Sequence, residues 1–568
     1  MNKIVKSLTK MFLLSFFIVL VNHSFVFSYS FYYWFEKGYY STDLDKQIEY
    51  YTKAIECWRV YHGKENLAAA YNNRGNAYLK KGDYDRAISD YNEAIRLDPY
   101  PDTYNNRGIA YYKKGDYDRA IFDYNEAIRL NPKYAAAYYN RGNAYCNKGD
   151  YDRAISDYNE AIRLNPKYAE AYNNRGIAYA DKGDYDRAIS DYNEAIRLNP
   201  KDAEAYYNRG NAYADKGDYD RAISDYNKAI RLNPKYAVAY NNRGIAYADK
   251  GDYDRAISDY NKAIRLNPKY AVAYYNRGIA YADKGDYDRA ISDYNEAIRL
   301  DPKNAFAYNN RGGVYADKGD YELAIADCLK AIEIDPNYEY PVGNLGGVYF
   351  MQGKLEQALQ QIDKALSMKE ESRFFNHCYW LKILIFKEKN DKENLQKTVS
   401  QAEEYIKKQI DKKPKDASNY SDLAEIYCEA SVKIDEATEL AKKAVELRPD
   451  YGSYYVLGFC YFRKGDVKKA IEYLEKSRLL NPSNTWCLYR LGYFYKVSGD
   501  IEKAKQVWYE GLKVNPEHRF IKQELEKLGI NLKIKTEEIK KQKEEKKIKE
   551  QEKINWEEIK DTDIQDGL

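Results

Sequence analysis

The sequence predicts an all-α solenoid, a superhelix of stacked helical hairpins, and three observations predict it. One unit recurs at a fixed step. Its turn residues divide it into two helices. Its apolar positions fall at helical spacing on faces that a single hairpin cannot bury. The unit at 169–202 reads AEAYNNRGIAYADKGDYDRAISDYNEAIRLNPKD, and it returns with a 34-residue step from 101 to 338, seven times without slippage. A 33-residue copy at 68–100 precedes these seven. A chain of 568 residues exceeds what one compact core organises, so a repeat array is the economical reading.

Within the unit, the first helix is expected over Ala169–Lys182, ended by Gly183, because glycine accepts the left-handed cap conformation at little cost. Asp184 is placed as N-cap of the second helix, with Asp186 favourable in its first turn. That helix runs to about Leu198, where Asn199-Pro200 stops it. Tyr172, Ile177 and Tyr179 mark the apolar face of the first helix, and Ile189, Tyr192, Ala195, Ile196 and Leu198 that of the second. Gly176, Ala188 and Ala195 are small where two helices would cross closely. Stacked neighbours can bury what one hairpin leaves exposed.

Tyr172, Arg175-Gly176, Tyr179, Ala188, Tyr192, Ala195 and Pro200 resemble the pattern of the tetratricopeptide repeat family, eight times over. The resemblance implies a right-handed superhelical solenoid of antiparallel helix-turn-helix repeats. One departure is regular. The family's usual Leu is Arg in every copy, at Arg74, Arg107, Arg141, Arg175, Arg209, Arg243, Arg277 and Arg311. An Asp follows each by sixteen residues, as Asp191 follows Arg175, so a repeated Arg–Asp pairing between helices is expected. The resemblance continues more weakly on both sides. Residues 31–67 read as a divergent first hairpin, 68–338 as the eight near-identical repeats, and 339–416 as a degenerate helical region, irregular from 373. Three further repeats occupy 417–518, with one apparent insertion before Ala437, and a capping helix is expected over 519–530. The tail 531–568 is rich in Lys and Glu and reads as a solvated helix or disorder.

The first thirty residues carry a different signal. Lys3, Lys6 and Lys10 precede the apolar run Met11–Val21, and no charged residue lies between Lys10 and Glu36. This reads as a secretory signal or as an uncleaved anchor over 11–35, either of which carries the repeats to the periplasm or cell envelope, possible inner-membrane attachment included. Lys+Arg is 91 and Asp+Glu is 88, a net charge of +3, and the unit 169–202 holds five basic and seven acidic residues against six and four in 237–270. No basic stripe builds up, so nucleic acid is a poor partner. The seven cysteines, Cys57, Cys146, Cys328, Cys378, Cys428, Cys460 and Cys487, form no CxxC pair and read as small buried hydrophobes.

No catalytic constellation is visible. The histidines, His23, His62, His377 and His518, are scattered, no metal-binding or phosphate-cradling pattern occurs, and no cofactor, metal or small-molecule substrate is expected. Every copy does carry Asn at its sixth residue, at Asn73, Asn106, Asn140, Asn174, Asn208, Asn242, Asn276 and Asn310. In the tetratricopeptide family that position lies on the concave face, so the resemblance implies a ladder of amides along a groove, similar to the asparagine ladder of the O-GlcNAc transferases. An amide offers donor and acceptor together and can grip the backbone of an extended peptide. Alternatively the Asn faces water or braces the adjacent repeat. The family's carboxylate clamp needs lysines beside the asparagines, and the fifth residue is never Lys here. The expectation is a non-enzymatic scaffold for proteins or extended peptide segments. An architectural spacer of the envelope is the alternative, and an enzyme with an unrecognised catalytic region near 373–416, where His377 and Cys378 lie, is a third reading.

Overall fold

The computed structural model describes residues 31–368 and 374–530. Residues 1–30, expected to act as a signal or anchor, and the charged tail 531–568 therefore lie outside the described residues. Every regular element among the described residues is a helix, and consecutive helices pair as antiparallel hairpins from end to end. The chain divides between Pro234 and Lys235 into two compact units.

The first unit opens with a helix at 31–40, followed by Leu44–Cys57. Phe31 is buried against Ala54 and Ala70, so residues 31–35 of the long uncharged run fold into the first hairpin. The near-identical repeats then follow the expected punctuation. In the unit at 169–202 the helices are Ala169–Asp181 and Tyr185–Leu198. Gly183 sits at φ +78° between them; its N–H donates to Ala180 O and that of Asp184 to Tyr179 O, closing a left-handed C-cap. The Asp184 carboxylate accepts from the Arg187 N–H at 3.1 Å, capping the second helix. Gly176 has a packing reason as well: a Cβ there would lie 2.7 Å from the ring of buried Tyr192. Each repeat core is small, an Ala–Tyr–Ala cluster such as Ala188, Tyr192 and Ala212, the last from the following repeat.

The second unit begins with three more such repeats and then changes character. Residues 339–368 form a regular hairpin, Glu339–Met351 with Leu355–Met368. The irregular region is a hairpin too, Phe374–Glu388 with Lys392–Lys412, but its second helix has 21 residues where the repeats have 14, and this breaks the sequence register. The insertion before Ala437 is absorbed in a turn where Ser431 and Lys433 both take positive φ. From Ile383 to Val507 one continuous core of Leu, Ile, Val, Phe and Cys replaces the separate small clusters. Cys328, Cys378, Cys428, Cys460 and Cys487 are fully buried in this half, and the sulfurs of Cys428 and Cys460 approach to 3.0 Å. The capping helix spans Arg519–Lys527.

The second unit also curls until its end meets its beginning. Ser483 Oγ donates to Gly285 O at 3.1 Å, and the Tyr287 hydroxyl to Ser483 O at 3.5 Å. One repeat further along, Asn515 Nδ2 donates to Ala316 O at 3.4 Å and the Tyr321 hydroxyl to Glu517 O at 3.3 Å. Arg519 then donates to Phe350 O at 3.4 Å and pairs with Glu388. The loops that follow second helices thus seat on the turns inside repeats nearly 200 residues earlier.

Candidate functional site

In each unit the first helices of successive repeats approach one another and line the inner side of the curve. Each presents one face at helical spacing, formed by the second, sixth, ninth and thirteenth residues of the repeat. At 169–202 these are Glu170, Asn174, Ile177 and Asp181; at 271–304 they are Val272, Asn276, Ile279 and Asp283. The face points inward: Gly313, Asp317, Asn344 and Gly347, its members in later repeats, line a cavity inside the second unit.

All eight sixth-position asparagines lie half-buried on this face, and their amide groups are engaged within the protein. The pattern alternates with the fifth residue. Where the preceding repeat has Asn there, the sixth-position amide donates to it: Asn140 to Asn105 at 2.9 Å, Asn208 to Asn173 at 3.1 Å, Asn276 to Asn241 at 3.1 Å. Where it has Tyr, the amide donates to the hydroxyl: Asn174 to Tyr139 at 3.0 Å, Asn310 to Tyr275 at 3.1 Å. Asn106 donates to Asn72 at 3.3 Å. The side-chain oxygens of Asn73, Asn174, Asn242 and Asn310 accept from the Asn immediately before them. Those of Asn106, Asn140, Asn208 and Asn276 keep an open acceptor on the inner face. The ladder is therefore first a brace between neighbouring repeats. The Asn/Tyr alternation was visible in the sequence, but its pairing needed the geometry.

The Arg–Asp pairing expected from the sequence is present in every copy. Arg175 Nε donates to Asp191 Oδ2 at 2.8 Å and Nη2 to Oδ1 at 2.6 Å, and the same two-pronged contact recurs from Arg74–Asp90 to Arg311–Asp327. The third prong reaches back one repeat: Arg107 Nη1 donates to Asn92, Arg141 to Asn125, Arg175 to Asn159 and Arg209 to Asn193, all at 2.6 Å. One guanidinium thus ties its own two helices to the previous hairpin, which a Leu could not do.

Two features of the inner face escaped the sequence reading. The thirteenth residue is acidic in five consecutive repeats, at Asp181, Asp215, Asp249, Asp283 and Asp317. Burial raises the Asp181 and Asp215 carboxyls and pushes Asp283 up to about 6 and Asp317 up to about 7. The second feature is the interior of the second unit, a chamber with one lobe of about 610 Å³ and an adjoining one of about 270 Å³. His377, Trp380 and Trp486 line both lobes. His377 stacks on Trp380 at 5.5 Å, Trp380 meets Trp486 edge-on at 5.2 Å, and Tyr340 stacks on Phe374 at 4.5 Å. Burial holds His377 down at about 4, so it is neutral, and pushes the neighbouring Cys378 thiol up to about 12, so it is no thiolate.

Family models described as tetratricopeptide repeat match residues 75–115, 101–134, 123–156 and 142–183, then 173–339 in four overlapping spans. A model of the anaphase-promoting complex, cyclosome, subunit 3, matches 430–507. Among curated proteins, stress-induced-phosphoprotein 1 of Caenorhabditis elegans is 44% identical over 54 residues, which is 10% of this chain and 16% of that protein. Among solved structures, a tetratricopeptide repeat protein from Parabacteroides merdae is 24% identical over 41% of this chain and 93% of its own, with a TM-score of 0.36. Yeast Tom70 is 21% identical over 78% of this chain and 96% of its own, with a TM-score of 0.38. With its repeat pattern matched through every near-identical copy, the chain belongs to the tetratricopeptide repeat family.

Proposed function

We propose that the chain is a non-enzymatic interaction scaffold that receives extended protein segments along the inner face of its first helices. The observation that supports this best is the row of like faces within each unit, each face offering a second, sixth, ninth and thirteenth residue. Four sixth-position asparagines, Asn106, Asn140, Asn208 and Asn276, carry an open carbonyl acceptor for a backbone N–H. At positions of the same face in the second unit, Val238, Ile245, Val272 and Phe306 are 37–54% exposed and give apolar side chains of a partner somewhere to rest. A groove read this way recognises backbone and general apolarity more than sequence, and fold alone does not name the partner. In this reading residues 1–30 deliver the array to the cell envelope.

The test is panning of a peptide library against the full-length chain, alongside fractionation of its own cells. The expected outcome is enriched extended peptides whose capture falls at least about tenfold in an Ile245→Arg/Val272→Arg variant with an unchanged melting profile. Both positions are exposed, so the fold should tolerate the change. Absence of any enriched peptide, or equal capture by the variant, would favour the spacer reading. Recovery of the chain from the cytosol would reject the envelope.

A further inference from the structure

The helices Ala417–Ala430 and Tyr451–Arg463 are the first helices of successive hairpins, and they pack directly against each other. Cys428 and Cys460 meet at that contact, both fully buried, with their sulfurs 3.0 Å apart. A covalent S–S bond is about 2.05 Å long, so closing it asks for about 1 Å of sulfur movement between helices already in contact.

The repeat geometry explains why this pair meets and the other cysteines do not. Cys428 is the twelfth residue of its unit and Cys460 the tenth of the next. In the copies at 169–202 and 203–236 those positions hold Ala180 and Ala212, which share one packing cluster around Tyr192. The contact is therefore built into the array, and only at 428 and 460 does the sequence place cysteine on both sides of it. Cys146 also stands at a twelfth position, but the tenth residue of the next repeat is Ala178. Cys487, in the same core as the pair, gives its thiol to Leu474 O at 3.6 Å.

Burial decides when a bond can form. Water reaches neither sulfur in the folded chain, and the Cys460 thiol is held well above its ordinary range, by its hydrogen bond with Cys428 first and then by desolvation. Exchange needs a thiolate that a disulfide reagent can reach. It therefore proceeds while the chain folds, when both thiols are open, and a separation of 32 residues keeps the loop-closure cost low. One thiolate attacks a reagent disulfide, forms a mixed disulfide and releases one reagent thiolate. The second cysteine thiolate then displaces the other. The Sγ–Sγ bond forms, the reagent's S–S bond breaks, and the two electrons and two protons lost by the cysteines end on two reagent thiols. Once the helices close, the same burial keeps reductants out.

We propose that Cys428 and Cys460 are a disulfide site, oxidised by thiol–disulfide exchange during folding, whose bond staples the first helices of two successive hairpins. The closed loop contains the turn where Ser431 and Lys433 take positive φ and the helix Ile434–Leu447, so the staple restrains the place where the apparent insertion is absorbed. Presence of the bond in the cell rests on the export reading, because an oxidising compartment keeps such bonds and a reducing one does not. The capacity of the pair to form it does not rest on that reading.

In the experiment the full-length chain is unfolded and reduced, freed of reductant, and refolded in a buffer of glutathione and glutathione disulfide. Free thiols are then alkylated under denaturing conditions and the peptides identified by mass spectrometry. The expected result is one crosslinked peptide joining Cys428 to Cys460, with the other five of the seven cysteines alkylated. A reduced chain that has already folded should form the bond at least about tenfold more slowly. Hydrogen exchange of Ala417–Ala430 and Tyr451–Arg463 should be at least about tenfold slower in the oxidised chain than in the reduced one. Cys428→Ala and Cys460→Ala should each remove both the crosslink and that difference, and the contact accepts alanine, as Ala180 and Ala212 do at the equivalent positions. Alkylation of all seven cysteines, crosslinking of a different pair, or exchange independent of redox state would overturn the proposal. These outcomes are read on purified protein, so they stand whatever compartment cell fractionation assigns to the chain.

Discussion

The near-identical repeats of 68–338 and the divergent hairpins of 451–518 solve one packing problem with opposite chemistries. At the seventh residue of the unit the repeats place Arg and the latter hairpins Leu457 and Leu491. Sixteen residues on, Asp gives way to Tyr473 and Val507; one residue further, the Tyr under the helix-crossing glycine gives way to Leu474 and Trp508. The glycine persists in both, because a Cβ at Gly458 or Gly492 would fall 2.3 or 2.4 Å from the side chain beneath, as it does near Tyr226 at Gly210. The close crossing is fixed, and what fills it is free to vary. A two-pronged ion pair with a third hydrogen bond fixes register between copies that are otherwise interchangeable. An apolar core contributes more stability per residue and specifies less. Eight copies of one sequence have a register problem that distinct sequences do not have.

The comparison predicts unequal losses. Trp508 is fully buried beneath Gly492, and its indole N–H donates to Tyr489 O at 3.0 Å. Trp508→Ala should cost about 4 kcal/mol, the range for emptying a large aromatic site. Hydrogen exchange of the helices Thr485–Val497 and Ile501–Val514 measures it locally, which matters because an array need not unfold in one step. A loss under about 1 kcal/mol would show that the apolar half is no more tightly built than the polar half.

The polar solution is tested by converting one copy to the other type. Arg209→Leu alone leaves Asp225, 6% exposed, without its partner and should cost about 3 kcal/mol. Arg209→Leu with Asp225→Val copies the Leu491–Val507 arrangement and should return to within about 1 kcal/mol of the parent, since a buried pair replaced whole by apolar residues is near neutral. Asn193, which loses the third prong, is exposed and rehydrates. Simple addition of the two single losses in the double variant would exclude direct coupling.

How much of this was legible in the sequence follows from distance along the chain. The helix ends at Gly183 and Asp184, the crossing at Gly176 and the Arg175–Asp191 pair are all set within one unit, and the pattern states each of them. The asparagines sat on the expected helix face, but their engagement by the previous repeat depends on how far one hairpin is rotated against the next. Residues 374–412 escaped the register because a 21-residue helix cannot repeat at a 34-residue step. The chamber was least legible. Asp317, Trp380, Glu425 and Trp486 come together only because the loops at Ser483 and Asn515 seat on turns almost 200 residues upstream, and no local pattern encodes that closure.

The smallest effect separates the two regions by pH. No histidine lies in 68–338, whereas His518 is the fully buried N-cap of the last described helix. Its Nδ1 accepts from the Ile521 N–H at 3.4 Å, and burial drives its titration from 6.5 down to about 3. The folded value lies below the unfolded one, so the unfolded chain takes up the proton first. The stabilisation is complete above about pH 6.5 and is lost progressively as pH falls toward 3. Between pH 7 and pH 5 the capping end should lose about 2 kcal/mol, while the near-identical repeats hold no histidine and their raised carboxyls, Asp283 and Asp317, act with the opposite sign, gaining stability as pH falls. His518→Asn keeps a capping oxygen for the Ile521 N–H but cannot titrate, so the local pH slope at Arg519–Lys527 should flatten. A slope unchanged by that substitution would assign the acid sensitivity elsewhere, with His377 in the chamber wall the next group to examine.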